Sequence, residues 1–274
     1  MSLVEKIVRN GRGEPAATTT ASRPAAGERD GTAAGVIEER SFELDLAALR
    51  REGYVGGAAR NAAVSLELGE VRRRLMREVD LFNDRERRNR ACRILVTSAH
   101  PGEGKTFTAL NLALSTVFQE GAPVVLCDAD LVRSEISKRF GLPAEHDDRP
   151  VVYQAESAPL SVLPAFVCRR QIKSPDGRRA FLEVMNGLAR QRGNALFVID
   201  SPPLHAMSDA AFIAPYVDHV VLVVGAGMSS SDDVARSVEI LGAPDRVSLL
   251  LNRVRFNADR ANSYAYGYDY HAYQ

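Results

Sequence analysis

The 274-residue chain carries 35 basic and 35 acidic side chains, a formal net charge of zero, and 45% hydrophobic residues. That balance is ordinary for a globular protein and gives no global attraction to polyanions, so no nucleic-acid partner is expected. The three cysteines, Cys92, Cys127 and Cys168, lie in or beside apolar runs without CxxC spacing. They read as buried, reduced thiols rather than a disulfide framework or a metal centre.

Met1 to Lys6 (MSLVEK) has no apolar core, so no export signal is expected. No apolar run approaches the ~20 residues that a spanning helix needs, so no direct membrane span is expected. Residues 2–10 allow one or two helical turns, too few to stand alone. Residues 11–35 are rich in Ala, Gly, Thr, Pro and Arg without periodicity, which predicts a disordered linker. In residues 41–53, Leu44, Leu46, Leu49 and a closing Gly53 predict a short helix capped by Ser41 or Asp45. Residues 64–90 predict a charged helix with an incomplete apolar stripe: Leu66, Leu68, Val71, Leu75, Val79 and Phe82. Two readings stand for it. One is a solvated helix packed on the domain; the other is a subunit interface of arginines and carboxylates. A nucleic-acid role for the arginines of 85–90 ranks below both, because acidic residues are interleaved.

From residue 92 onward, apolar runs alternate with helical patterns, which predicts an α/β fold with a mainly parallel sheet covered by helices on both faces. Strands are expected at 93–98, 123–127, 160–163, 195–199, 218–224 and 247–251, and helices at 104–119, 134–140, 176–192, 206–214 and 230–241. The strands are apolar almost throughout, as strands buried on both faces are.

The chemistry concentrates at strand ends. Ala99-His100-Pro101-Gly102-Glu103-Gly104-Lys105-Thr106 follows a strand and opens a helix. It is the phosphate-binding loop pattern G-x-x-x-x-G-K-[ST] with Ala first. Gly102 and Gly104 let backbone N–H groups face phosphate oxygens, and the helix N-terminus adds its dipole. Lys105 can reach β and γ phosphates, and Thr106 can ligate Mg²⁺. The ATP-binding segment is therefore expected to run Pro101, Gly102, Glu103, Gly104, Lys105, Thr106 and Phe107. A second strand, VVLCDAD, ends in Asp128 and Asp130, and a third, LFVID, ends in Asp200 in the Walker B manner. Asp128 and Asp200 join Thr106 as expected Mg²⁺ ligands. Lys105, Asp128, Asp130 and Asp200 are the expected catalytic group. Asn252, ending the strand LLLN, is a candidate for the adenine edge or a turn residue. Five of the eight tyrosines crowd the last eleven residues: Tyr264, Tyr266, Tyr268, Tyr270 and Tyr273. A flexible tail of phenols is a natural phosphoryl acceptor, a sticky aromatic tail, or a docking peptide.

Together these motifs resemble the bacterial tyrosine kinases (BY-kinases), which use a phosphate-loop NTPase fold. TSAHPGEGKT (97–106) matches Walker A, VVLCDAD (124–130) the additional Walker A′, and FVIDSPP (197–203) Walker B. Ser208-Asp209 through Val217-Asp218, LNRV (251–254) and the tyrosine tail also match. The start MSLVEK and the segment from Phe42 to Gly53 resemble the stand-alone kinases of exosortase-type polysaccharide loci. The resemblance implies ATP- and Mg²⁺-dependent autophosphorylation of the tail tyrosines by a neighbouring subunit in a homo-oligomer. It also implies a membrane partner, a polysaccharide co-polymerase or chain-length protein. That partner would recruit a cytoplasmic kinase to the inner face of the membrane, where its cycling would set polymer length or export. It implies three segments: an N-terminal extension (1–63), a kinase domain (64–258) and the tail (259–274). The alternatives are a deviant Walker ATPase of the Min/Par type and a kinase-inactive nucleotide-binding regulator. Against the former, His100 stands where those switches carry a signature lysine. Three places depart from the BY-kinase pattern. Val132 holds the fifth place of D-x-D-x-R, with Arg133 one residue late. The motif E-x-x-R-x-x-R is met by Glu70 and Arg73 but continues with Met76 and Arg77. The stretch 143–160 looks shortened.

Overall fold

The computed structural model describes residues 37–54, 62–78, 91–130, 132–143, 150–164 and 175–254. The expected turns at 2–10, the linker at 11–35, Cys168 and the tyrosine tail lie outside the described residues.

Eight strands form one sheet in the order β1-β4-β5-β3-β6-β2-β7-β8. In chain order they are β1 (Glu38–Phe42), β2 (Cys92–Ser98), β3 (Val124–Asp128), β4 (Val151–Ala155), β5 (Leu160–Leu163), β6 (Leu196–Asp200), β7 (His219–Gly225) and β8 (Val247–Asn252). Six of the seven strand pairs are parallel, and β4 with β5 is antiparallel. The helices are α1 (Leu46–Arg51), α2 (Ala62–Glu78), α3 (Lys105–Glu120), α4 (Glu135–Arg139), α5 (Pro175–Gln191), α6 (Asp209–Ile213) and α7 (Ser231–Leu241).

The period of two along each strand divides the core into two layers. Ile94, Val96, Val124, Leu126, Val198, Val221 and Val223 face one layer with Leu110, Ala113, Leu114 and Val117 of α3. Their chain neighbours Leu95, Val125, Cys127, Phe197, Ile199, Val220 and Leu222 face the other, with Phe181, Met185 and Leu188 of α5 and Val234, Val238 and Leu241 of α7. Helices thus cover both faces, as the continuous apolar strands required.

The six expected strands and five expected helices from residue 92 onward all form, with ends shifted by three residues at most. Two strands were not anticipated. EERSF is polar and looks like coil, yet β1 pairs along its whole length with β4. VVYQA is apolar but sits in the stretch thought to be trimmed. It forms a hairpin with β5 and carries β1 on its outer side. Ser41 therefore lies in a strand, and Asp45 is the cap of α1, its carboxylate accepting from Ala48 N at 2.8 Å. The charged helix expected over 64–90 is α2 as far as Glu78, with 79–90 outside the described residues, and Arg72 of its arginine run is buried and paired with Glu120 of α3 at 2.6 Å. Met76 is buried in the α3 layer. The departure from E-x-x-R-x-x-R thus has a packing reason: an arginine at that place would bring a charge into the core. Arg73 and Arg77 stay exposed and both approach Glu70, at 2.7 and 3.6 Å.

Phe42 packs its ring on Phe140, centroids 5.5 Å apart, and so ties β1 to the end of α4. Phe42→Ala should cost about 3 kcal/mol by removing a near-buried aromatic. Denaturant unfolding with an unchanged m-value checks this, and a loss under about 0.5 kcal/mol would mean that β1 is not part of the cooperative unit.

Candidate active site

The site lies at the carboxyl ends of β2, β3 and β6, the central strands of the sheet, where open α/β sheets bind ligands. β2 ends at Ser98, and the loop 99–104 leads into α3. Gly102 has φ 85° and Gly104, the N-cap of α3, has φ 103°. Only glycine takes such angles without strain. A Cβ at Gly104 would also stand 2.0 Å from Asn252 Nδ2, so both backbone and space demand glycine here.

The loop is held from below by one carboxylate. Glu103 has no solvent exposure. Its Oε2 accepts from His100 N at 2.8 Å, and its Oε1 accepts from Gly225 N at 2.8 Å and Ser229 Oγ at 2.7 Å. Asn252 completes the brace, donating its amide to the Glu103 carbonyl at 2.8 Å. Glu103 was expected in the ATP-binding segment and Asn252 at an adenine edge. Here the Glu103 side chain points away into the body, and Asn252 spends its amide on the loop. Pro101 and Gly102 are exposed at the loop tip. Phe107 turns back against Tyr54, ring centroids 5.3 Å apart, with Arg139 stacked on the other ring at 4.9 Å.

Behind the loop stands a buried charge cluster. Lys105 Nζ donates to Asp130 Oδ2 at 2.9 Å and lies 3.3 Å from Thr106 Oγ1. The Thr106 hydroxyl donates to Asp200 Oδ2 at 2.7 Å. Asp128 and Asp200 are register partners on adjacent parallel strands. Asp128 Oδ2 accepts from Ser137 N at 3.0 Å and Ser137 Oγ at 2.8 Å. Asp130 Oδ1 accepts from Arg133 N at 3.1 Å. Among the described residues, Asp128 Oδ1 and Asp200 Oδ1 are buried without a hydrogen-bond partner. With the Thr106 hydroxyl they form an all-oxygen donor set, which suits Mg²⁺. Lys105, Asp128, Asp130 and Asp200, the expected catalytic group, lie together with Thr106, the expected Mg²⁺ ligand, and all five are buried.

Burial dominates the electrostatics. It pushes Asp200 up to about 7, against the pull of Lys105 and Thr106. It pushes Asp128 up to about 6, against the Ser137 hydrogen bonds. Lys105 is raised: burial alone would lower it, but Asp200 and Asp130 together outweigh that effect. Val132, in the place of the Walker A′ arginine, is 64% exposed. Arg133 turns outward and lies 3.6 Å from Glu135. A cleft of about 740 Å³ opens beside the loop, lined by Ala226, Met228, Arg253 and Val254. Sequence reasoning missed the Glu103 brace, since each of its partners is an unremarkable residue or a backbone N–H more than a hundred positions away or inside the loop itself.

No family model matches the chain. The tyrosine-protein kinase YwqD of Bacillus subtilis is 29% identical over 184 residues, covering 64% of this chain and 76% of YwqD. The matched relatives are bacterial tyrosine kinases. Among these tyrosine kinases, Etk of Escherichia coli is 29% identical over 183 residues, covering 62% of this chain. That match spans only 25% of Etk, so the matched part of this chain corresponds to about a quarter of that larger protein. The solved kinase domain of VpsO has a TM-score of 0.51 and 28% identity, covering 70% of this chain and 98% of that one. The kinase domain of Etk has a TM-score of 0.56 at 19% identity, covering 80% of this chain and 92% of that one, a likeness of fold.

Two predictions follow from the brace and the carboxylates. Glu103→Gln keeps the shape but turns an amide NH₂ toward donors, and should cost about 1–3 kcal/mol in thermal unfolding and weaken nucleotide binding. Unchanged stability would remove Glu103 from the loop's support. The second concerns pH. Folded values of about 7 and about 6 for Asp200 and Asp128 lie above the ~3.9 of an unfolded Asp. The folded state therefore holds more protons between about pH 4 and pH 7, and these two groups make stability fall as pH rises through that window. Asp200→Asn should gain stability over wild type at pH 8 and little at pH 5, read from melting temperatures without nucleotide. A difference independent of pH would count against the burial argument.

Proposed function

We propose that the chain is an ATP-dependent protein-tyrosine autokinase that phosphorylates its own C-terminal tyrosine cluster and regulates exopolysaccharide synthesis, chain length or export. The observation that carries this reading is the buried cluster of Lys105, Thr106, Asp128, Asp130 and Asp200 behind a braced phosphate loop. The kinase domain is taken as 64–258, with β1 contributed from the N-terminal extension, and 259–274 as the acceptor tail.

In this reading the loop N–H groups of residues 102–106 cradle the β and γ phosphates at the N-terminus of α3. Lys105 leaves Asp130 when phosphate arrives, carrying its charge to the transferring group. The Thr106 hydroxyl and the Oδ1 atoms of Asp128 and Asp200 would hold Mg²⁺, which would supply neutralisation of the charge on the phosphoryl oxygens. The phenol oxygen of a tail tyrosine attacks the γ phosphorus, the bond to the β-phosphate oxygen breaks, and ADP leaves. The phenol proton passes to a carboxylate, and Asp128, at the end of β3, is the candidate. The cleft beside Met228 and Arg253 is the candidate for the adenine ring. Positioning and charge stabilisation supply the rate, with no covalent enzyme intermediate.

The acceptors Tyr264, Tyr266, Tyr268, Tyr270 and Tyr273 reach the site of a neighbouring subunit in this proposal. The partner is a membrane polysaccharide co-polymerase that recruits the kinase to the inner face of the membrane. Among the described residues no helix is long and apolar enough to cross a membrane.

Incubation with γ-labelled ATP and Mg²⁺ should label the tail. Lys105→Met should lower incorporation at least about a hundredfold, by loss of transition-state charge stabilisation. Replacement of the five tail tyrosines by Phe should abolish label but leave nucleotide binding intact. ATP hydrolysis without protein labelling would support the partition-type switch instead, and nucleotide binding without either reaction would support an inactive regulator.

A further inference from the structure

Outside the charge cluster, three ligating side chains from three separate segments meet on the flank of the phosphate loop. His100 belongs to the loop itself, His205 follows β6, and Asp233 lies in the first turn of α7. One atom from each lies within 4.8 Å of the other two. His100 Nε2 is 3.4 Å from Asp233 Oδ1, and His205 Nδ1 is 3.9 Å from the same oxygen. The two imidazoles meet edge to face with centroids 4.9 Å apart.

The surrounding hydrogen bonds leave the three ligand atoms available. Asp233 uses its other oxygen, Oδ2, for the α7 cap, accepting from Ser230 N at 2.9 Å and Ser230 Oγ at 2.7 Å. Oδ1 is thereby turned to the imidazoles. Ser237 Oγ donates its proton to the Asp233 carbonyl at 2.7 Å, so its contact with His205 Nε2 at 3.2 Å is satisfied with Nε2–H as the donor. That assigns the lone pair of His205 to Nδ1, the nitrogen facing the cluster. A histidine whose second nitrogen is fixed by a hydrogen bond is the arrangement that metal sites use. Backbone contacts hold the pieces in place: His205 N donates to the Ala99 carbonyl at 3.2 Å, and His100 N donates to Glu103.

We propose that His100, His205 and Asp233 form a binding site for a divalent transition metal of the zinc class, distinct from the nucleotide's Mg²⁺. Two imidazoles and one carboxylate are borderline donors that favour zinc over magnesium. Metal–ligand bonds of about 2.0–2.2 Å in a tetrahedron place donors about 3.3 Å apart. The His100–Asp233 pair already meets that spacing, and the remaining pairs close by side-chain rotation. Half-buried His100 and Asp233, 35% and 32% exposed, leave room for water as fourth ligand. A bound ion ties the first half of the phosphate loop to α7 and to the segment that follows Asp200. It thus stiffens the edge of the nucleotide site without entering it. The inference rests on these contacts alone and is independent of the kinase reading.

The test is titration of the full chain, without nucleotide, with ZnCl₂ by calorimetry and with Co²⁺ by visible absorption. Wild type should bind one equivalent at this site and give the intense d–d band of four-coordinate Co²⁺, and excess Mg²⁺ should not displace it. His100→Gln and His205→Gln should each weaken binding at least about tenfold and lose the band, with unchanged circular dichroism. Ser237→Ala, which touches no ligand atom, should weaken binding by about tenfold through loss of the tautomer lock. No binding by wild type, displacement by Mg²⁺, or wild-type affinity in either histidine variant would overturn the proposal.

Discussion

Two buried carboxylates on adjacent strands, one of them under the pull of Lys105, set the terms for the rest of this molecule. The register of β3 against β6 puts Asp128 beside Asp200. Neither belongs in a core of Val, Ile and Phe without compensation, and Lys105, Thr106 and Ser137 supply only part of it. What remains is one unpartnered oxygen on each acid. Such groups persist where they have a task, because burying an uncompensated charge costs several kcal/mol and a neutral core would be easier to fold. The fold therefore holds, at the end of its central strands, a deficit that a cation can fill.

Much of this was legible in the sequence, for identifiable reasons. Short apolar runs ending in Asp, alternating with helical patterns, carry both the parallel sheet and the position of its acids. G-K-T after a strand fixes the loop, since few other arrangements place two glycines and a lysine at a helix start. The illegible parts are those where a residue's partner is remote. Glu103 looks like a spacer in a glycine-rich turn, and only the folded chain reveals its contact with Gly225 and Ser229. His100, His205 and Asp233 are scattered over more than a hundred positions, so no spacing rule brings them together. EERSF lacks strand character, and β1 exists because β4 offers it a ladder, an instance of tertiary context overriding local preference.

The departures from the family pattern also resolve into separate physical cases. Met76 is a core residue on the face of α2 that packs against α3, so its exchange for arginine belongs to packing. Val132 is the opposite case, an apolar side chain in solvent at the place of a charged one. The neighbouring Arg133, in the turn before α4, lies 3.6 Å from Glu135 at the start of that helix. The first case alters the inside of the protein, whereas the second alters what it presents to another molecule.

The position of β1 has a consequence for how this protein can be cut. β1 lies at the sheet's margin, outside β4, although some fifty residues of sequence separate it from the phosphate loop. A fragment starting near residue 62 would keep every nucleotide motif and yet uncover β4, whose backbone groups would then face solvent unpaired along VVYQA. A bare apolar margin of that kind recruits whatever extended chain is nearby. Such a fragment would keep its nucleotide motifs and be prone to self-association, and oligomers formed that way would be artefacts of the cut.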